Sequence, residues 1–162
     1  MKLEGLIHDL PVYVKQFIAA FVIVLSVGYF TGIQFVRQTE SDNPAGIEEN
    51  YLGNEDLEEV AVMKFKKGER EMLTILHTHV LSISFIFFLL GGLISITSLP
   101  KKLKAFLMIE PFVSIVLTFG GIYLLWKGLL WMKWVVMISG TVMTAVFIVG
   151  AAAVLIQLLK RR

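Results

Sequence analysis

Thr74-Ile-Leu-His77-Thr-His79-Val-Leu-Ser82-Ile-Ser84-Phe85-Ile-Phe-Phe-Leu-Leu-Gly91-Gly92 is the stretch whose reading decides the fold. It holds no Asp, Glu, Lys or Arg, and the same apolar character runs from about Met72 to Leu99, where Pro100 ends it. As an α-helix, a run of that length crosses roughly 30 Å of hydrocarbon at about 1.5 Å per residue. Two of the three histidines stand in its first turns. Imidazoles are not carried cheaply in a membrane helix, so His77 and His79 call for a partner, a cavity or headgroups.

Three similar runs lie outward from this one, at about residues 16–36, 103–126 and 134–159. Apolar residues make up 56% of the chain, charged residues 17%, and the mean hydropathy is +0.75. A soluble domain carries about 45–50% apolar and about a quarter charged residues. The sequence therefore predicts an all-α integral membrane protein, a four-helix bundle with antiparallel up-down-up-down topology. Residues 1–15 read as an interfacial segment with apolar Leu3, Leu6, Ile7 and Leu10, and residues 37–71 as an acidic extracytoplasmic loop. The first span is too long for a signal-peptide core and has no small-x-small cleavage site, so it is expected to stay as an anchor.

The net charge of +2 is small and sits at the span ends, which reads as membrane anchoring and excludes nucleic acid as a partner. With no cysteine there is no disulfide, thiolate metal site or iron–sulfur cluster. No phosphate-cradling glycine loop, nucleophile elbow or His-Glu-x-x-His occurs, so no catalytic residue is assigned.

Four spans place both termini on one side, with Lys2, Lys15, Lys101, Lys102, Lys104, Lys160, Arg161 and Arg162. The other side carries Arg37, Lys64, Lys66, Lys67, Arg70, Lys127 and Lys133 among eight acids: Glu40, Asp42, Glu48, Glu49, Glu55, Asp56, Glu58 and Glu59. The basic bias gives an inner-membrane protein with both termini inside. The acid run reads as a solvated face, or as a docking patch for a basic periplasmic partner. Asn43-Pro44 and Leu52-Gly53-Asn54 read as turns, and Trp126, Trp131 and Trp134 as an aromatic belt.

At about 100° per residue, His77, Ser84, Gly91 and Ser95 share one face of the second span, with Thr74, Leu81, Phe88 and Gly92 beside them. These small and polar residues are expected to face the bundle. His79, about 200° from His77, then points outward to headgroups, another subunit or the loop. Gly28 and Gly32 form a small-xxx-small pair in the first span. Glu110, Ser114, Thr118 and Gly121 form a stripe on the third, and Ser139, Gly140, Thr141 and Thr144 are the small and polar residues of the fourth. Glu110 reads as a carboxylate paired with Lys104 or protonated near headgroups, or else as a proton- or ion-handling group. His8 beside Asp9 reads as a solvated pair before a cofactor ligand.

The outer half of the bundle is expected to gather His77, Thr74, Tyr29, Gln34, Gly120, Gly121, Tyr123, Met137 and Gly140 around a pocket. A neutral imidazole ligates haem iron, copper or zinc. His77 is the candidate ligand for haem b, with the sixth position filled by Met132, Met137 or Met143, or by His79 of another subunit. Zinc or copper at His77 or His79 with Glu71 or loop carboxylates is the alternative, and purely hydrogen-bonded histidines with no cofactor are the other.

The phrase from His77 to Gly92 resembles the His-x-His-plus-glycine helix entries of small bacterial membrane proteins. It is distantly similar to histidine-bearing helices of haem-copper oxidase and cytochrome b type subunits. The resemblance spans about twenty residues, and those cytochromes draw ligand histidines from at least two helices. It implies a bacterial inner-membrane location and a link to respiratory redox chemistry. Three classes of function follow: a haem- or metal-binding electron-transfer or accessory subunit of a redox complex, a structural or assembly subunit, and a small oligomeric channel or transporter using Glu110. The lipid bilayer is the certain partner in each, and a homo-oligomer or a larger complex is expected.

Overall fold

The computed structural model describes residues 5–55 and 62–160. Among them are six helices and no strand: α1 (Leu6–Asp9), α2 (Val12–Gln38), α3 (Pro44–Leu52), α4 (Glu69–Ser95), α5 (Lys101–Trp126) and α6 (Met132–Leu159). Four of these, α2, α4, α5 and α6, are long and apolar enough to cross a membrane. The protein is an all-helical membrane bundle whose spans run up, down, up and down. Each span starts two to four residues before its predicted limit, because polar residues at a helix end lie outside the hydrocarbon yet keep helical geometry.

The helices are unequal in the bundle. α5 buries eleven residues and α6 ten, whereas α4 buries five and α2 only Ile18 and Val22. The α5–α6 hairpin is thus the centre, with α4 on one flank and α2 loosely applied to α6. Gly150 and Ala151 of α6 are buried, and a Cβ on Gly150 would stand 2.9 Å from Ile94 Cδ1 and 3.4 Å from Leu90 Cδ2. Small residues on α6 therefore receive large ones on α4.

That packing corrects the expected face of α4. Its buried residues are Met72, Phe87, Leu90, Gly91 and Ile94, while His77, Thr74, Leu81, Phe88 and Gly92 are exposed. The hairpin supplies the close approach itself, so α4 contributes bulk and turns its small and polar face away. Gly28 and Gly32 of α2 likewise have nothing near the Cβ position, so no helix among the described residues packs on them.

At the end bearing the N-terminal segment, α4 stops at Ser95, four residues before the predicted limit. The Gly5 and Ile7 amides donate to the Thr97 and Ile96 carbonyls at 3.3 and 3.2 Å, and Ile7 is fully buried. Lys104 Nζ donates to the Ser95 and Thr97 carbonyls at 3.3 and 3.0 Å. A cation there also meets the negative end of the α4 dipole. Gln157 of α6 accepts from the Ser98 amide at 2.7 Å and closes the knot. His8 lies 3.5 Å from Ser98 Oγ, a local contact.

At the opposite end the acidic region forms a folded cap. Asn43 and Pro44 start α3 where a turn was expected: Asn43 Oδ1 accepts from the Gly46 amide at 2.9 Å, and proline occupies the first helical position. Gly53 has φ +86, and a Cβ there would meet Lys66 N at 2.7 Å, so the turn after α3 requires glycine. Buried Asn54 accepts from the Lys64 amide at 2.7 Å and donates to the Val62 carbonyl at 3.1 Å. Trp126 Nε1 donates to the Lys67 carbonyl at 2.8 Å, and Lys133 pairs with Glu48 at 2.5 Å. Lys64 pairs with Glu40 at 3.0 Å and faces Glu49 at 3.8 Å. Three acids of the run are thus answered by the chain's own lysines, and Trp126 is buried under the cap while Trp131 and Trp134 are exposed as a belt would be. Burial pushes the Tyr51 hydroxyl up to about 12, against the lowering effect of its bond to Asn50. Asp56, Glu58, Glu59, Lys2, Leu3, Arg161 and Arg162 lie outside the described residues.

Candidate functional site

Glu110 is the one acidic residue within the predicted spans, and Lys104, near the start of the third, is the one basic residue. It sits nine residues into α5, about 14 Å along the helix axis. Ser114, one turn on, donates its hydroxyl to Glu110 Oε1. Oε2 is buried with no hydrogen-bond partner. The expected pairing with Lys104 is absent, because that ammonium is committed to the carbonyls at the end of α4. Pro111 follows directly and has no N–H for the Leu107 carbonyl, so the helix ladder lacks one bond beside the carboxyl.

The stripe predicted on the third span is assembled as a polar seam along the α5–α6 contact. Thr118 Oγ1 lies 2.7 Å from Ser139 Oγ, and both residues are buried. Ser139 gives its own proton to the Val135 carbonyl at 2.7 Å, so the Thr118 hydroxyl is the donor in that pair. Gly121, a turn further, lets Val136 of α6 into contact. Tyr29 enters from α2 with its ring stacked on Phe147 at 3.9 Å and edge-on to Phe87 at 6.3 Å. Thr144 donates to the Gly140 carbonyl at 2.9 Å, so the Tyr29 hydroxyl donates to Thr144 at 3.3 Å. Every hydroxyl proton of the seam is thereby spoken for, and none is aimed at Oε2.

The residues expected around a cofactor pocket are brought together only in part: Tyr29 reaches Gly140 through Thr144, while His77, Thr74, Gln34 and Gly120 are exposed. His77 is exposed in a shallow groove whose lining, Glu69, Arg70, Leu73, Thr74 and His77, comes from α4 alone. Its inward orientation is corrected by the turn of α4 described above. His79 is exposed, as expected, and its ring lies 5.5 Å from Phe119 of α5. His79 Nδ1 donates to the Ile75 carbonyl at 2.8 Å, which leaves Nε2 as the free lone pair. Gly120 and Gln34 are exposed, whereas Gly121, half-buried Met137 and Tyr29 face the core. Among the described residues, no group of three or more His, Asp or Glu stands together as a metal cage.

The stripe spacing of four, four and three made the seam's α5 side legible. Tyr29 was expected to gather with Gly140, and the Thr144 hydroxyl that joins the two was not foreseen. No curated protein and no solved structure matches the chain. Residues 41–162 match a family described as a transmembrane helical domain, Aq_1264_TM; the match takes in α3 to α6, with Glu110 and its seam, and leaves α2 outside. The chain belongs to the Aq_1264_TM family of transmembrane helical domains.

Proposed function

We propose that the protein handles protons within the membrane at Glu110, as a small proton-linked channel or transporter subunit. One observation carries the reading: a carboxyl at membrane depth, anchored by Ser114 through one oxygen, with the other oxygen buried and unpartnered. A carboxylate in hydrocarbon is costly unless it meets a cation or takes a proton, and intramembrane acids mark proton and ion pathways. Lys104, the one lysine or arginine of the spans, is bonded to the carbonyls at the end of α4, which favours the proton. The basic residues at the terminal end support an inner-membrane protein with its termini inside. The test is proton flux into proteoliposomes under an imposed potential. Wild-type protein should acidify the lumen, and Glu110→Gln should reduce the flux to that of empty vesicles. Equal flux in the two would overturn the reading.

A second reading, haem or metal ligation by a histidine, is favoured by His79. A backbone carbonyl fixes its Nδ1 proton and presents Nε2, the arrangement that orients ligating imidazoles. The remaining ligands would then come from another subunit. Oxidised and reduced absorbance spectra with metal analysis of the purified protein test it. A Soret band or stoichiometric metal lost in His79→Ala supports ligation, and neither being present refutes it.

A further inference from the structure

We infer that the face α4 turns away from its own bundle is an interface with a second copy of this chain. The face runs the whole helix. Arg70, Thr74, His77, Leu81, Ser84, Phe88, Gly92 and Ser95 follow one another at intervals of three or four, and six of the eight are exposed, the two serines being half-buried. That spacing averages about 3.6, the period of the helix itself, so the eight residues form one continuous stripe along it. Leu81 and Phe88 on it suit lipid, and the Thr74 and Ser95 hydroxyls bond to carbonyls of their own helix, but one group on it does not suit lipid. His77 has no hydrogen-bond partner among the described residues, although it stands eight residues into α4, about 12 Å along the axis. Small and polar residues at membrane depth are what helix–helix contacts use.

Charge complementarity selects the occupant. Glu69 and Arg70 line the groove beside His77, both are exposed, and neither has an ion-pair partner among the described residues. Two copies inserted in the same direction are related by a two-fold axis along the membrane normal, so each stripe meets itself residue against residue. Adjacent opposite charges near such an axis pair crosswise, Glu69 of one copy with Arg70 of the other. The same axis brings the two His77 rings face to face, where they can hydrogen-bond to each other. The inference is independent of the proton reading, since Glu110 lies on α5 and plays no part in it.

The absence of cysteine gives a clean test. Leu81→Cys on the stripe, 59% exposed, and Leu73→Cys beside it in the groove, 54% exposed, are oxidised in native membranes alongside Val116→Cys, 70% exposed on α5. Disulfide-linked dimer should form in the two α4 variants and be at background for the α5 variant. Glu69→Arg added to Leu73→Cys should lower the yield, and Glu69→Arg with Arg70→Glu should restore it. No dimer at 73 and 81, or the same yield at 116, would overturn the proposal, as would a Glu69→Arg yield equal to that of the parent.

Discussion

Replacing Gly121 by alanine tests whether α5 and α6 are in the contact that forms the seam. The new Cβ would stand 2.9 Å from Val136 Cγ2, with Met132 O and Val136 N at 3.9 Å. Two carbons sit comfortably at about 3.5–4.0 Å, so the helices must part by roughly 0.6–1.1 Å. Val136 cannot swing aside, because a β-branched side chain in a helix is held in essentially one rotamer. Overpacking of this kind costs about 1–3 kcal/mol. The Thr118–Ser139 bond, one turn away at 2.7 Å, would stretch with the same movement. Interhelical bonds in membrane proteins contribute about 0.6 kcal/mol on average and up to about 1.7. The expected loss is therefore about 2–4 kcal/mol, read by denaturant unfolding in mixed micelles. Val136→Ala in the same chain removes the clashing methyl, so the double variant should lie within about 1 kcal/mol of Val136→Ala alone. A Gly121→Ala variant as stable as the parent, or one that Val136→Ala fails to relieve, would refute the packing on which the seam depends.

Further outcomes follow from other parts of the fold. With its folded value at about 12 against an ordinary 10, Tyr51 contributes nothing to pH dependence below pH 10. Stability should then fall as pH rises from 10 towards 12, by up to about 3 kcal/mol, and the part of the fall due to Tyr51 should vanish in Tyr51→Phe. Lys133→Ala should loosen the cap by about 0.5–1 kcal/mol, an effect that shrinks with added salt and shows as faster proteolysis between α2 and α4. Lys104→Met keeps the length of the side chain but removes two donors to the end of α4, and should cost about 1–3 kcal/mol in the same unfolding assay.

Hydropathy made the four spans legible, because each is a charge-poor run of sufficient length, and the residues at their ends were ambiguous only by a turn. The stripe of Glu110, Ser114, Thr118 and Gly121 was legible too, since its residue types and spacing both point to a helix contact. The orientation of α4 was not. It carries a small polar face and a large apolar face, and either can serve as a contact in a membrane. What decided it was the buried pair Gly150 and Ala151 on α6, a tertiary fact that the sequence of α4 does not contain. The cap was missed for a local reason: Asn43-Pro44 is at once a turn signal and a helix start, and only the Gly46 amide bonding back to Asn43 separates the two.

If Glu110 takes up a proton inside the membrane, as we propose, infrared difference spectroscopy of the reconstituted protein across a pH step reads that event at the carboxyl itself. A protonated-carboxyl band that grows on acidification and is missing from Glu110→Gln is the predicted result. Spectra of the two proteins that change identically with pH would contradict it.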